Sequence, residues 1–455
     1  MCHLCEVCYN LSAYLELPAH SIGTSNNPKP AFNSLRETKP MSLNDSIHYR
    51  QQRLFVDDVS VLSLVHELGT PLYVYSLKRA LSNVTRIQEA FSGLNVHIHY
   101  SAKANATLAL LRALHSAGVG VDAVSGGEIF RALQAGVPAG QIVYAGVGKR
   151  EDEIAFALSQ GVGWFNVENV GELNIIQRVA HHLGKHGVRV ALRLNPDVTA
   201  NTHPYIATGH GGAKFGLTAE MVAEVLAQQA HYPALDFAGI HVHIGSNLQD
   251  THGTTEAVTR ALELIAPYPH IRTVNIGGGL PAQYHHQSQP VPAFQAFADA
   301  VRPLLKGYEV LLEPGRAIIA DAGILVTSVL YPKYQAGQRM VIVDASMTEL
   351  IRPMLYQAHH EIVPVHKPEE GDNYLTQVHG PVCETTDVLG RDVPLPNLEE
   401  GDLLAVLTAG AYGTVMASNY NARPRPAEVV VHADGKTWSI ARKRETWQDL
   451  IAQEL

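Results

Sequence analysis

The chain is poor in the residues that mark several protein classes. Of 455 residues only four are cysteines, Cys2, Cys5, Cys8 and Cys383. Three crowd the first eight positions, so no disulfide framework spans the body, and a reducing, cytoplasmic setting is expected. The CHLCEVC cluster has spacing that could hold a metal. It stands in a tail of mixed composition with no second ligand cluster, and no metal is expected there. Positive charge is not in excess: 34 Lys and Arg against 43 Asp and Glu leave a net charge of −9. That balance argues against nucleic acid or an anionic membrane surface as a partner. No apolar run approaches the roughly 18–20 residues of a membrane span, and the first residues lack the plan of a signal peptide. Hydrophobic residues still make up 46% of the chain. A chain this long is expected to divide into two domains, since single cores stop growing near ~250–300 residues. Residues 1–40 are expected to form a disordered tail, because Met41 begins a more ordinary sequence.

From residue 96 onward strand-like and helix-like stretches alternate. The strand candidates are VHIHYSAK, GVDAVS, QIVYAG, GWFNVEN, VALRLN, FAGIHVHIG, RTVNIGGG and EVLLEPGR. Between them lie amphipathic segments such as GEIFRALQAG, DEIAFALSQG and GELNIIQRVAHHLG. Another, AEMVAEVLAQQAHY, is expected to place Met221, Val222, Val225 and Leu226 on one face. Eight such units predict an α/β fold, a (β/α)₈ barrel over residues 76–320; a doubly wound sheet is the alternative. After residue 320 the stretches become short and β-rich (ILVTSVLYPKY, RMVIVDAS, DLLAVLTAG, AEVVVHADG, KTWSIAR). They predict a second, mainly β domain of sandwich or barrel type over 321–455. Residues 41–75 are expected to contribute a strand to it.

In a barrel the chemistry gathers at the C-terminal ends of the strands. Lys103 stands there between two alanines, where lost solvation would lower its pKa toward reaction with a carbonyl. A lysine snorkelling from a strand end is the plainer reading. NIGGGLP offers unblocked backbone N–H groups for a phosphate, or simply a tight turn. Glu313 of LLEPGR could hold a pyridine nitrogen protonated, or pair with Arg316 at the surface. HVHIGSN puts His241 and His243 on one strand face. They could be a metal pair, or a stacking group with a deeper partner. Hydrogen-bonded core histidines fit His97, His99 and His241. SGGE at 125–128 matches a capping box, which makes Glu128 structural. Taken together, a reactive lysine, an acid for a ring nitrogen, a glycine cradle and a stacking group meet the needs of pyridoxal phosphate.

With these motifs in order (YSAKAN, DAVSGGE, HVHIGSN, NIGGGLP, EPGRAI, MTELIRPMLYQAHH, GPVCETTD, GAYGTVMASNYNARPRP) the chain resembles the fold-type III pyridoxal-phosphate decarboxylases, and within them the diaminopimelate decarboxylase branch. The resemblance runs from GTPLYVYS almost to the C-terminus. It implies a barrel plus a β domain, pyridoxal 5'-phosphate as cofactor, an amino-acid substrate, and a homodimer with shared active sites. It implies that Lys103 binds the cofactor aldehyde, His243 stacks on the ring and Glu313 holds the ring nitrogen. Ser246, Gly278, Gly279 and Gly315 would serve the phosphate, with Tyr412 beside the cofactor. Arg316, Arg352, Tyr356, Tyr412 and Glu384 would bind substrate, and Cys383 and Glu384 would enter from the second subunit. Two departures are Ser346 and Asn247, where the family often has other residues. Cys383, the one cysteine of the body, is expected to protonate the product; a buried apolar cysteine is the alternative. Arginines suit a substrate bearing a second carboxylate. The expected reaction is decarboxylation of meso-2,6-diaminopimelate to L-lysine. Alternatives are a sister decarboxylase of ornithine, lysine, arginine or a carboxylated polyamine, a metal-dependent barrel hydrolase, and a non-enzymatic homologue.

Overall fold

A computed structural model of the chain describes residues 43–285, 290–369 and 371–454. The expected disordered tail, with its three cysteines, lies outside the described residues.

All eight anticipated barrel strands are present: β1 (Asn95–Ser101), β2 (Gly120–Ala123), β3 (Ile142–Tyr144), β4 (Trp164–Val167), β5 (Val188–Leu194), β6 (Leu235–Val242), β7 (Thr273–Asn275) and β8 (Glu309–Leu312). Each pairs in parallel with the next, and β8 returns to β1 through Leu312 opposite Ile98, which closes the barrel. Its strands are almost wholly buried (GVDA, IVY and WFNV throughout), as strands covered on both faces must be. The helices pack outside. On the helix Ala219–Ala227, Val222, Val225 and Leu226 are buried, but Met221 is 47% exposed. The expected apolar face was one residue too wide: Met221 sits about 100° round the helix from Val222.

The second domain is a nine-stranded sheet. Its long strand Gly323–Gln335 pairs antiparallel with Gln338–Val343, Leu403–Val406 and Leu72–Ser76. Leu72–Ser76, the LYVYS that precedes the barrel, also pairs parallel with Ala427–Val431, with Val74 opposite Val429. The chain therefore starts in the β domain, builds the barrel and returns. A separate three-stranded sheet, Ile47–Arg50, Arg53–Val56 and Val59–Ser60, packs Leu54 and Val56 into a core shared with Leu72, Val74, Ile324 and Val429. The strands Ile362–Pro364, Tyr374–His379 and Val388–Leu395 were not foreseen. Their polar, turn-rich surroundings (HKPEEGDNYLTQVHG) hide the alternation.

The two parts meet where β1 ends. Tyr412 N donates to Ala104 O (2.8 Å) and Asn105 Nδ2 to Gly410 O (3.1 Å). Thr107 Oγ1 and Tyr75 OH both donate to Glu428 Oε2. The β domain thereby clamps the turn that carries Lys103.

Candidate active site

Lys103 is the middle residue of a single 3₁₀ turn, Ala102–Ala104. Both alanines are fully buried, and a Cβ on Gly315 would stand 3.0 Å from Ala104 Cβ. Small residues are required because backbone packs against backbone here, and the lysine is left to point into the cavity. Its Nζ donates to Asp122 Oδ2 (2.8 Å) and Ser101 Oγ (3.2 Å). The expectation of a lowered lysine pKa is overturned. Burial does work against the ammonium, but Asp122, Tyr412 and Glu313 outweigh it and hold the lysine above its ordinary range. Burial, with the nearby Glu313, pushes the Asp122 carboxyl up, while Lys103 and Ser101 pull it part of the way back down.

Glu313 ends β8 with its carboxylate buried. Burial alone would raise its pKa; His241, Lys103 and a hydrogen bond from Asn275 reverse this and hold it well below the usual carboxylate range. Asn166 Nδ2 (2.8 Å) and Asn275 Nδ2 (2.6 Å) both donate to Oε1, and His241 Nε2 lies 3.5 Å from Oε2. Hydrogen bonds to a charged acceptor are worth ~1.5–3 kcal/mol each, so two asparagines keep this buried group ionised. His241 is thus the buried partner of Glu313. His243, half-buried, accepts from Gly278 N at Nδ1 (3.2 Å). Burial, then Arg193 and Lys103, keep its imidazole neutral.

After β7 the backbone folds tightly over His243. Gly277 has φ +66°, and a Cβ there would meet His243 Nδ1 at 2.7 Å; at Gly278 it would meet Glu313 O at 2.4 Å. Ser246 Oγ accepts from Arg316 Nε (3.2 Å) and Nη2 (3.1 Å), and Arg316 Nη1 donates to Tyr284 OH (2.6 Å). The surface ion pair between Glu313 and Arg316 is therefore not formed. Arg352, from the short helix Arg352–Tyr356, donates from Nε to His360 Nε2 (3.3 Å). Both guanidinium groups lie over the ring of Tyr284, at 5.6 and 5.0 Å. Arg316 also lies over Tyr412 (4.9 Å) and Arg352 over Tyr356 (5.7 Å). Both arginines are buried, and among the described residues neither pairs with a carboxylate. Burial lowers the Arg352 pKa, and Arg316 adds to that effect. Two buried cations sharing one aromatic platform call for an anion between them.

One cavity of about 530 Å³ brings these groups together. Lys103, His243, Ser246, Gly278, Gly279, Glu313 and Gly315 line it, with Arg316, Arg352, Tyr356 and Tyr412. Tyr412 holds φ +57°, a strained backbone for a tyrosine that keeps its ring under Arg316. Cys383 and Glu384 do not line it. Both are exposed on the β domain, where Cys383 Sγ lies 3.4 Å from Asn421 Oδ1 and Tyr420 OH donates to Glu384 Oε1 (2.5 Å). The buried-cysteine alternative is therefore incorrect.

Several strand-end residues turn out to be structural. Glu168 accepts from buried Arg193 (2.6 Å), and the Asn195 amide donates away to His210 O. Ser125 Oγ caps the helix Gly126–Gln134, but the Glu128 carboxylate accepts from Val124 N, not from the cap residue. His97 is exposed beside Glu309, contrary to the expected core role. No role was expected of Asp122, Asn166, Asn275, Tyr284 or His360, although Asp122 stands at a strand end in DAVSGGE, Asn275 in NIGGGLP and His360 in MTELIRPMLYQAHH. Strand alternation from Asn275 and Asn166 would have pointed them inward.

Residues 77–320 match the family described as "pyridoxal-dependent decarboxylase, pyridoxal binding domain". The chain is 43% identical over 408 residues to the diaminopimelate decarboxylase of Neisseria meningitidis serogroup A, covering 88% of this chain and 99% of that protein. It is 40% identical over 418 residues to that of Aquifex aeolicus, covering 90% and 98%. The crystal structure of diaminopimelate decarboxylase from M. jannaschii in complex with L-lysine superposes with a TM-score of 0.84 at 36% identity, covering 90% of this chain and 98% of that one. A closed eight-stranded barrel joined to a β domain, a lysine and a buried carboxylate in one cavity, and likeness over nearly the whole chain place this protein in the diaminopimelate decarboxylase family of pyridoxal-dependent decarboxylases.

Proposed function

We propose that the chain removes one carboxylate of meso-2,6-diaminopimelate as CO2 and releases L-lysine. The observation that carries the substrate assignment is the pair of buried arginines, Arg316 and Arg352, without a carboxylate of their own among the described residues. A diamine substrate of the ornithine or lysine type would bring no anion to its far end. Diaminopimelate brings a carboxylate, which a guanidinium fork binds in two-point fashion.

The cavity fits pyridoxal phosphate. The ionised Glu313 and neutral His243 are the charge states that a protonated ring nitrogen and a flat stacking face require. The glycine turn at 277–279 leaves no room for side chains beside Ser246. When bound, the cofactor supplies a sink for the electron pair left as CO2 departs. Asp122 Oδ2 accepts the hydrogen bond of Lys103 Nζ and holds the amine at the cavity wall, where it would meet the cofactor's aldehyde. Glu313, fixed by Asn166 and Asn275, keeps its negative charge through turnover. His243 stays neutral and bonded to the turn. Gly278, Gly279 and Gly315 with Ser246 would hold the phosphate, and Tyr412 and Tyr356 would wall the substrate.

Cys383 and Glu384 serve the site of a partner subunit in a homodimer. What supports this is their exposure and their absence from the cavity of their own chain. The Cys383 thiol delivers the proton that completes the product, and Glu384 offers an anion to the substrate's second ammonium. A working thiol suits a reducing compartment, hence the cytoplasm. Among the described residues no helix is long and apolar enough to cross a membrane. The test is release of L-lysine from meso-diaminopimelate by the purified protein, with and without added cofactor. Cofactor-dependent lysine is expected. CO2 from ornithine or arginine instead, with none from diaminopimelate, would overturn the substrate.

A further inference from the structure

Tyr284, which follows β7, meets Arg316 and Arg352 behind the cavity, and the next residue faces the β domain. There the imidazoles of His285 and His359 lie face to face, with centroids 4.2 Å apart and planes at 21°. Glu361, 6% exposed, completes a group of three. One ligand atom from each lies within 4.8 Å of the others. The proposed reaction uses none of them.

Two imidazoles and a carboxylate are the donor set of many transition-metal sites. With bonds of ~2.0–2.1 Å, ligand atoms on one tetrahedral zinc stand about 3.3 Å apart. The present atoms lie within 4.8 Å of one another, so closing on the metal takes up to about 1.5 Å of side-chain movement. His359 can supply that movement, since it is exposed. The carboxylate's backbone is fixed: Leu407 N donates to Glu361 O (2.8 Å), and the neighbouring His360 bonds through Nδ1 to Leu407 O (3.0 Å).

We propose that His285, His359 and Glu361 bind a divalent transition metal, zinc by preference, as a clasp between the Tyr284 loop of the barrel and the β domain. Three protein ligands leave the fourth position to water. The clasp would act next to the arginine pair. Tyr284 precedes His285, accepts from Arg316, and packs edge-on against His360 (5.2 Å, 82°). Occupancy steadies the platform beneath both guanidinium groups.

The test is zinc titration of the tag-free holoenzyme after removal of free cofactor. The background carries Cys2→Ser, Cys5→Ser and Cys8→Ser, so that the N-terminal thiols cannot compete. Calorimetry should find one zinc per chain, and cobalt should give visible d–d bands without a thiolate charge-transfer band. His359→Ala, which removes an exposed ring, should weaken zinc at least tenfold and abolish the zinc-dependent rise in melting temperature. It should leave metal-free turnover unchanged. Glu361→Gln should weaken zinc similarly. No zinc bound, or equal affinity in parent and His359→Ala, would overturn the clasp.

Discussion

At the residue scale the site is a set of charges held in unusual states by named neighbours. Glu313 is the clearest case. Burial should neutralise it, yet two asparagine amides and His241 converge on its oxygens and keep it anionic. Glu313→Gln keeps the shape: the amide oxygen can still accept from both asparagines. Only the charge is lost. Turnover should fall about 10²–10³-fold, as when one electrostatic stabiliser is removed, while the cofactor still binds. Parallel measurements of kcat and cofactor absorbance check this; unchanged kcat would remove the role. Arg352 makes the complementary case. Its guanidinium has His360 and aromatic faces for company and no carboxylate among the described residues. Arg352→Ala should raise KM for diaminopimelate by ~10²-fold, on the order of 3 kcal/mol for a buried charge-assisted pair, with little change in cofactor affinity. A KM that does not move would mean that Arg316 alone holds the distal carboxylate.

At the element scale, strand ends decide what can be read from sequence. All eight barrel strands were legible because each is a short apolar run closed by a glycine, proline or polar stop, and parallel strands must be apolar on both faces. Lys103, Glu313 and His243 followed from that, since each stands at such an end. Asp122 and the two asparagines were harder, because their meaning lies in which neighbouring strand they face, and register is absent from the sequence. The lysine pKa was misread for the same reason: Asp122 belongs to the next strand. The weak alternation of Tyr374–His379 and Val388–Leu395 concealed an edge of the β sheet. The entry end of β1 carries its own prediction. His99 is buried, with Nδ1 unpartnered among the described residues, and burial lowers its pKa to about 4. A histidine kept neutral by the fold contributes stability above its unfolded pKa near 6.5. That contribution is lost progressively as the pH falls below 6.5 and is gone once the pH has fallen through about 4. Between pH 7 and 5 the wild type should lose up to ~2 kcal/mol more than His99→Asn. Denaturant unfolding at both pH values and one protein concentration measures the difference, and equal losses would show His99 to be solvated.

At the scale of the whole molecule, two residues that the resemblance implies for the site, Cys383 and Glu384, lie outside the cavity of their own chain. The barrel supplies Lys103, His243 and Glu313, and the β domain returns to clamp the Lys103 turn through Tyr412 and Gly410. Cys383 and Glu384 belong to the same β domain, yet they are exposed and absent from the lining. If they complete a second copy's site, every active site contains Lys103 from one subunit and Cys383 from the other. Two dead variants can then rescue each other. Lys103→Ala dimers lack the amine in both sites, and Cys383→Ala dimers lack the thiol in both. A mixed dimer has one site with both defects and one with neither. With equal amounts and free exchange, half of the dimers are mixed, so activity should return to about a quarter of wild type. Were each chain to use its own cysteine, mixing would restore nothing, because every site would keep one defect. The measurement is CO2 release against time after mixing. Recovery should follow the rate of subunit exchange and vanish when the subunits are cross-linked beforehand.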